Sequence, residues 1–347
     1  DGQLLKASDF IYSWRRLLDP KTAAPYAYLL TDLASFEATD DATVRIRLKK
    51  PISYFIQIFT FWVTFPLRQD QVERLGSKWA QPGKAVVLGP FVPTDYKFGS
   101  QLTLKRNALY YGKKPELDEV VFKIVTDDST ALNLFKSGKL DFTRPINVLE
   151  LKNLETSLAL HKNPYFRTCF IGFNLDKTPL QNADVRKAIA MAIDKKAFES
   201  ISRNGVRPAD ALAQEQVFKA GKNGALDFNP GNAMQLLKGK NIDLAKVAPL
   251  EFITYASDEN ILLAQFLQDQ LKKNIGLNLK LQLLEYKTYQ TQLKQRNGAL
   301  FHRCWGADYS DPDSYFSIFI SKSENNFTHW KNEKFDELVT KAAGLSN

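Results

Sequence analysis

The chain has 347 residues, a formal net charge of +9, and 44% hydrophobic and 12% aromatic residues. This composition excludes intrinsic disorder, and the length exceeds that of one typical domain. No apolar run reaches the roughly 18 to 20 residues that span a bilayer, since Gln57 interrupts the richest run at 54–65. Basic and acidic residues are mixed, and no nucleic-acid-binding motif is present, so we expect a solvated basic surface and no nucleic-acid partner.

Helical and strand periods alternate along the chain. Ser8 is the predicted N-cap of a first helix that ends before Pro20. The following elements are then predicted: a strand at 44–48, helices at 54–61 and 69–75, strands at 91–96, 102–106 and 119–125, a helix at 130–137, a strand at 168–174, a helix from Asn182, a strand at 250–255, a helix at 261–274, and strands at 277–284 and 300–305. The strand-helix-strand unit at 250–284 indicates an α/β architecture.

One carboxylate lies among aromatic residues after the last predicted strand. Asp308 precedes a turn that contains Asp311 and Pro312. In a site that excludes water, a carboxylate and an ammonium group about 4 Å apart attract by roughly 4 kcal/mol at an effective dielectric constant near 20. An exposed aspartate that begins a turn is an equally good interpretation on residue types alone. Asp311 and Asp313 read as turn and helix-start residues, and their spacing misses the EF-hand pattern, so we expect no metal site.

Catalytic motifs are missing from the sequence. It has no Gly-x-Ser-x-Gly elbow, no Walker loop and no His-Glu-x-x-His pair. The three histidines are far apart along the chain, and no spacing singles out a carboxylate pair for glycoside hydrolysis. We therefore predict no catalytic residues, no cofactor and no enzymatic activity.

An ordered set of landmarks extends over almost the whole chain. They are residues 9–17 (DFIYSWRRL), 19–27 (DPKTAAPYA), 89–91 (GPF), 104–107 (LKRN) followed by 110–111 (YY), 137–141 (SGKLD), 182–194 and 305–316. Their order and spacing resemble those of extracytoplasmic solute-binding protein family 5, which contains the receptors of oligopeptide and dipeptide ABC transporters.

The resemblance implies a fold and a location. The fold is the periplasmic-binding-protein-like type II α/β fold, with two lobes joined by crossover strands and a smaller accessory domain. Residues 1–66 would belong to the accessory domain, 67–166 to lobe I and 167–347 to lobe II. The family's opening and closing strands are not recognised, so we expect a chain truncated at both ends. The implied protein is a monomer in the periplasm, or anchored outside the cytoplasmic membrane, with its signal sequence not in this chain.

The resemblance also implies a function. The protein would be the substrate-binding receptor of an ABC importer that captures peptides by lobe closure and delivers them to a membrane permease. The alternative is a receptor for a non-peptide solute on the same fold, such as a nickel complex, haem or a sugar. A hydrolase is disfavoured because the catalytic motifs are missing.

Four ligand-binding residues follow from matching the family motifs. Asp308 matches the aspartate that binds the α-amino group of a peptide, and Trp305 and Tyr309 would form the walls of that pocket. Tyr26 matches a peptide-contacting tyrosine of the small domain, with packing within the turn as the alternative.

Four further residues fall near ligand-facing positions of the family. These are Tyr165, Arg144 in the 144–147 loop, His302 and Arg303. Arg144 and Pro145 replace the aromatic and amide side chains found in oligopeptide binders. His302 and Arg303 lie near a position where cations meet the carboxylate of the ligand, and a structural role is the alternative for both.

The two cysteines, Cys169 and Cys304, both lie in predicted strands. Their spacing alone leaves open whether they are buried thiols or a bonded pair. The resemblance implies a disulfide between these strand regions. Cys169 is two residues later and Cys304 two residues earlier than in the family, which is the shift expected if the strands are antiparallel neighbours.

Overall fold

The structure is a computed structural model in which the chain forms two units that divide between residues 147 and 148. It describes residues 2–144, 150, 154, 160–161, 163, 165–202, 206–214, 217–218 and 226–345. Within these residues, none of the helices combines the length and the apolar character that crossing a membrane requires.

The first unit contains two separate antiparallel sheets. One is the pair β1-β2, and the other has the order β3-β4-β5. Its helices and strands are α1 (Ala7–Leu18), β1 (Leu33–Ala38), β2 (Val44–Leu48), α2 (Phe55–Ile58), α3 (Gln69–Leu75), β3 (Phe91–Lys97), β4 (Gln101–Arg106), β5 (Glu119–Lys123) and α4 (Asp128–Lys136).

Helix α1 is held by contacts that the periodic pattern does not specify. It begins at Ala7 rather than after Ser8, because the N–H of Lys6 donates to the Asp9 carboxylate over 2.8 Å and closes the first turn. Trp14 is buried, and its Nε1 donates to the carbonyl of Thr64 over 2.9 Å. The predicted helix 54–61 is therefore wrong in its extent: the chain leaves the helix after Ile58 and folds around the Trp14 ring.

The second unit is built on a mixed four-stranded sheet with the order β6-β9-β7-β8. Strand β9 runs antiparallel to β6 and parallel to β7, and β7 runs parallel to β8. Its elements are β6 (Arg167–Phe173), α5 (Ala183–Met191), α6 (Lys195–Ser202), α7 (Pro230–Gly239), β7 (Leu250–Tyr255), α8 (Asp258–Ile275), β8 (Leu279–Leu284), α9 (Tyr286–Lys294), β9 (Leu300–Gly306), α10 (Asp313–Phe316) and α11 (Glu333–Ala343).

The predicted strand-helix-strand unit is confirmed as β7-α8-β8. Ser257 caps α8 by accepting a hydrogen bond from the N–H of Asn260 over 3.3 Å, and Gly276 ends the helix at a φ of 73°. At this value glycine avoids the steric cost that a Cβ would add. Because a parallel pair needs a crossover connection, α8 lies against the sheet and buries its apolar stripe there.

The core of the second unit surrounds the central strands β7 and β9. Phe252 and Leu300 are almost fully buried and belong to one large apolar cluster with α5, α7 and α8. On the neighbouring strand, a Cβ at Gly172 would lie only 2.1 Å from Cζ of Phe301. The glycine therefore makes room for the Phe301 ring, and β9 is held in the middle of the sheet.

Among the helices and strands of the described residues given above, five lie outside the predicted ones, namely β1, α6, α7, α9 and α11. Helix α9 shows why, since Tyr289 and Leu293 are its only buried residues. Two apolar positions one turn apart make too weak a periodic signal for a helix. The division of the chain at residues 66 and 166 stays a prediction.

Candidate functional site

The end of β9 carries the predicted carboxylate. Asp308 lies two residues beyond the strand and is half-buried. Its N–H donates to Oγ of Ser314 over 2.9 Å, and Nε1 of Trp305 donates to the carbonyl of the same Ser314 over 2.6 Å. Both contacts attach the strand end to α10. The backbone that carries Asp308 is thus fixed relative to the sheet.

The residues that follow Asp308 form a hydrogen-bonded turn. Tyr309 donates its hydroxyl to Oδ2 of Asp313 over 2.6 Å, and the N–H of Asp313 donates to Oδ1 of Asp311 over 2.9 Å. Burial raises the pKa of the Asp311 carboxyl above its ordinary value. Asp311 and Asp313 therefore act inside the turn, and Asp313 begins α10, as the sequence predicts.

The beginning of β6 lies beside the end of β9. Arg167 pairs with Gly306, and the carbonyl of Phe166 accepts both the N–H of Ala307 and the hydroxyl of Tyr315, each over 3.2 Å. Tyr165 comes directly before this contact and is 73% exposed. The structure thus brings Tyr165 to the same end of the sheet as Asp308.

Arg303 lies on the face of β9 that also carries Trp305. Its guanidinium carbon is 5.2 Å from the centre of the Trp305 ring and 4.3 Å from that of Phe327. Nη2 donates to Oδ1 of Asn325 over 3.0 Å. A guanidinium between two aromatic faces gains cation-π attraction at both, so Arg303 stabilises the position of the Trp305 ring.

His302 lies on the opposite face of β9 and is only 6% exposed. Its Nδ1 is 3.5 Å from Oγ1 of Thr254, and its Nε2 is 3.5 Å from Sγ of Cys304. Burial, assisted by the positive charge of Arg167, lowers the pKa of His302 to about 4. The neutral, buried imidazole favours the structural role over contact with a ligand carboxylate.

The pKa of His302 predicts how stability depends on pH. It is about 4 in the folded protein and about 6.5 in an unfolded chain, so the unfolded state binds more protons between these two values. The free energy of unfolding should therefore fall as the pH is lowered through this window, by at most about 1.4 kcal/mol per pH unit from this group. Urea unfolding across the window measures the slope. His302→Gln should remove this contribution, and an unchanged slope in that variant would contradict the assignment.

The predicted disulfide is confirmed. Cys169 and Cys304 are directly opposite in the antiparallel register of β6 and β9, and their sulfur atoms are bonded. They are 135 residues apart along the chain. The two strands are antiparallel neighbours, as predicted from the family resemblance.

Two predicted site residues lie in the first unit. The Tyr26 ring packs against Phe61 and Trp62, with centroid distances of 5.2 and 5.7 Å. These contacts agree with the turn-packing interpretation and also form an aromatic cluster. Arg144 is exposed, whereas Pro145 and the rest of the 144–147 loop lie outside the described residues.

The structure adds two residues that sequence reasoning missed, Ser314 and Phe166. Ser314 holds both Trp305 and Asp308, and Phe166 contributes only its backbone carbonyl. Ser314 could have been found from the sequence, because it belongs to the Asp-Pro-Asp-Ser turn that follows Asp308. A carbonyl acceptor has no sequence signal, because every residue has one.

The sequence and the fold match a known family. The profile of the bacterial extracellular solute-binding proteins, family 5 (middle region), matches residues 1–327. The chain is 28% identical over 380 residues to the periplasmic oligopeptide-binding protein OppA of Escherichia coli K12, covering 100% of this chain and 69% of that protein. It is 27% identical over 373 residues to the probable deoxycholate-binding periplasmic protein YgiS of the same strain, with coverages of 100% of this chain and 70% of that protein.

A solved structure has the same fold. The periplasmic oligopeptide-binding protein OppAIV of Borrelia burgdorferi superposes with a TM-score of 0.89 at 26% identity, covering 100% of this chain and 74% of that one. This likeness confirms the predicted periplasmic-binding-protein-like α/β class. With the profile match over most of its length, the chain belongs to the bacterial extracellular solute-binding proteins of family 5.

Proposed function

We propose that this protein is the substrate-binding receptor of an ABC importer and that it captures short peptides by their free amino terminus. The observation that carries the proposal is the half-buried Asp308, held by Ser314 at the end of the central strand β9 and flanked by Trp305 and Tyr309. The relative OppA, named for oligopeptide binding, supports the peptide as ligand class.

The chemistry of a peptide explains why one carboxylate suffices as an anchor. Every unblocked peptide has an α-ammonium group, whatever its side chains. At an effective dielectric constant near 20, a carboxylate about 4 Å away attracts it by roughly 4 kcal/mol, whereas a fully exposed pair gains about 0 to 1 kcal/mol. Hydrogen bonds to the peptide backbone then add affinity without selecting side chains.

The other predicted residues contribute to ligand binding in this proposal either directly or by supporting the pocket. Tyr165 contributes an exposed ring at the same end of the sheet as Asp308. Arg303 supports the pocket wall through Trp305. Tyr26 and Arg144, which lie in the first unit, are further ligand-binding residues in this proposal. Closure, delivery to the permease, the monomeric state and the periplasmic location all belong to the proposal.

A non-peptide solute is the second candidate ligand. The likeness to YgiS, named as probably deoxycholate-binding, favours it. A deoxycholate carboxylate would be repelled by Asp308, so such a ligand would have to use other parts of the pocket. Neither candidate requires catalysis, and we propose that the protein binds its ligand without converting it.

Calorimetry with matched peptide pairs tests the proposal. Each short peptide is measured with a free and with an acetylated amino terminus, and deoxycholate is measured alongside. Acetylation should cost about 1.5 to 3 kcal/mol, which is a loss of affinity of about 10- to 150-fold. Equal affinities would refute amino-terminal capture, and binding of deoxycholate without peptides would establish the second candidate. Mass spectrometry should recover the peptides intact, and cleavage would indicate an enzyme.

A further inference from the structure

We propose that, once the disulfide is reduced, Cys169, Cys304 and His302 bind one thiophilic metal ion, with Zn²⁺ as the reference ion. The two Sγ atoms and one nitrogen of His302 lie within 4.8 Å of one another. Two thiolates and one imidazole form a known three-residue donor set for zinc, with water in the fourth position.

The pairing of β6 and β9 places all three donors on one face. Cys169 and Cys304 are opposite each other, so their side chains project from the same face of the sheet. His302 precedes Cys304 by two residues and shares that face. Nε2 of His302 is 3.5 Å from Sγ of Cys304. A tetrahedral site with Zn–S of about 2.3 Å and Zn–N of about 2.0 to 2.1 Å requires an N···S distance of about 3.6 Å.

The imidazole is held with Nε2 toward the sulfur atoms. On its other side, Nδ1 is 3.5 Å from Oγ1 of Thr254, a residue with no exposed surface. The hydroxyl of Tyr289 donates to the carbonyl of His302 and holds the backbone. Metal-binding histidines typically donate their second N–H to such a neighbour, which sets the tautomer and the ring orientation. A partner for the second ring nitrogen of a histidine ligand is therefore in place before any metal binds.

The reaction has two balanced steps. An external thiol or phosphine reductant supplies two electrons, and two protons are taken up as the S–S bond breaks to give two thiols. Binding of Zn²⁺ then releases both thiol protons and leaves two thiolates on the ion. Cys169 is exposed and Cys304 half-buried, so the ion can enter from the side of Cys169. The oxidised protein has the covalent link and no thiolate, so the redox state decides whether the metal binds.

Competition with a chromophoric zinc chelator tests the proposal. The full chain is reduced with a phosphine under inert gas and titrated with Zn²⁺, and Co²⁺ replaces zinc for absorption spectra. We expect one ion per reduced chain, bound at least about 100-fold more tightly than by the oxidised chain, together with a thiolate-to-cobalt charge-transfer band. Replacing a ligand should lower the zinc affinity by more than the roughly 10- to 100-fold that is typical when a residue that only orients a ligand is changed.

Four variants make the assignment specific. Cys169→Ser and His302→Gln should each weaken zinc binding at least about 100-fold, and Thr254→Val, which removes the oxygen beside Nδ1 of His302, about 10-fold. His161→Gln removes an exposed histidine elsewhere and should leave the affinity unchanged. Circular dichroism reports whether each reduced variant is folded. An unfolded chain would chelate zinc through its thiols alone, so wild-type affinity in His302→Gln overturns the proposal. Equal affinity of the reduced and oxidised chains overturns it as well.

Discussion

Reduction of the Cys169–Cys304 disulfide is expected to lower the free energy of unfolding by about 5 kcal/mol. The bond joins residues that are 135 positions apart, and loop-closure entropy assigns about this value to a loop of that length. Urea unfolding of the oxidised and reduced chain, followed by tryptophan fluorescence with a metal chelator present, measures the difference. The effect should be a shift of the transition midpoint to lower urea.

A double variant separates the bond from the reductant. Cys169→Ser combined with Cys304→Ser, measured without reductant, should unfold like the reduced wild type. The chain has no other cysteine, so reduction should leave the double variant unchanged. A midpoint equal to that of the oxidised wild type would show that the hydrogen bonds of β6 and β9 hold this strand pair without the bond.

Asp308→Ala is expected to weaken the binding of peptides with a free amino terminus by about 2 to 5 kcal/mol, or about 30-fold to several thousand-fold. The reason is that the α-ammonium group would lose its counter-charge inside a pocket that excludes water. Isothermal titration calorimetry with the tightest peptide of a pool measures the change. Asp308→Asn keeps the size of the side chain and isolates the effect of its charge.

Two controls distinguish an ammonium anchor from a residue that only shapes the pocket. Asp258→Asn makes the same charge change at an exposed position in the first turn of α8, and it should leave peptide affinity within about twofold, as surface charge changes away from the ligand do. The acetylated peptide should bind wild type and Asp308→Ala with similar affinity. If the variant instead weakens both forms of the peptide equally, Asp308 acts on the pocket and does not contact the amino group.

The strand-helix-strand unit β7-α8-β8 is the most predictable part of the second unit. Strands β7 and β8 have short apolar runs and α8 has a long amphipathic pattern, so local periodicity was sufficient for the β7-α8-β8 unit. Asn182 is the N-cap of α5, as its residue type predicts. The helix predicted in the apolar run at 54–65 is too long because a tertiary contact ends it early. The carbonyl of Thr64 in this run accepts a hydrogen bond from Nε1 of Trp14, which lies 50 positions earlier in the chain. A local pattern cannot reveal that contact.

The sequence by itself determined the chemistry that the chain can offer. One carboxylate follows a strand and stands between aromatic residues, and two cysteines lie in strands that the family resemblance predicts to be paired. The ordered landmarks identified the family over almost the whole length. These conclusions depend on residue types and their spacing, which folding does not change.

Only the tertiary structure decided which of these groups face which surroundings. His302 and Arg303 are neighbours in sequence and similar as candidate cations, yet the pleat of β9 sends them to opposite faces. His302 meets buried Thr254, 48 residues away, and is neutral at ordinary pH, whereas Arg303 lies between Trp305 and Phe327. The reason is physical: burial and charge at a side chain depend on what packs against it, and the partners of β9 come from distant parts of the chain.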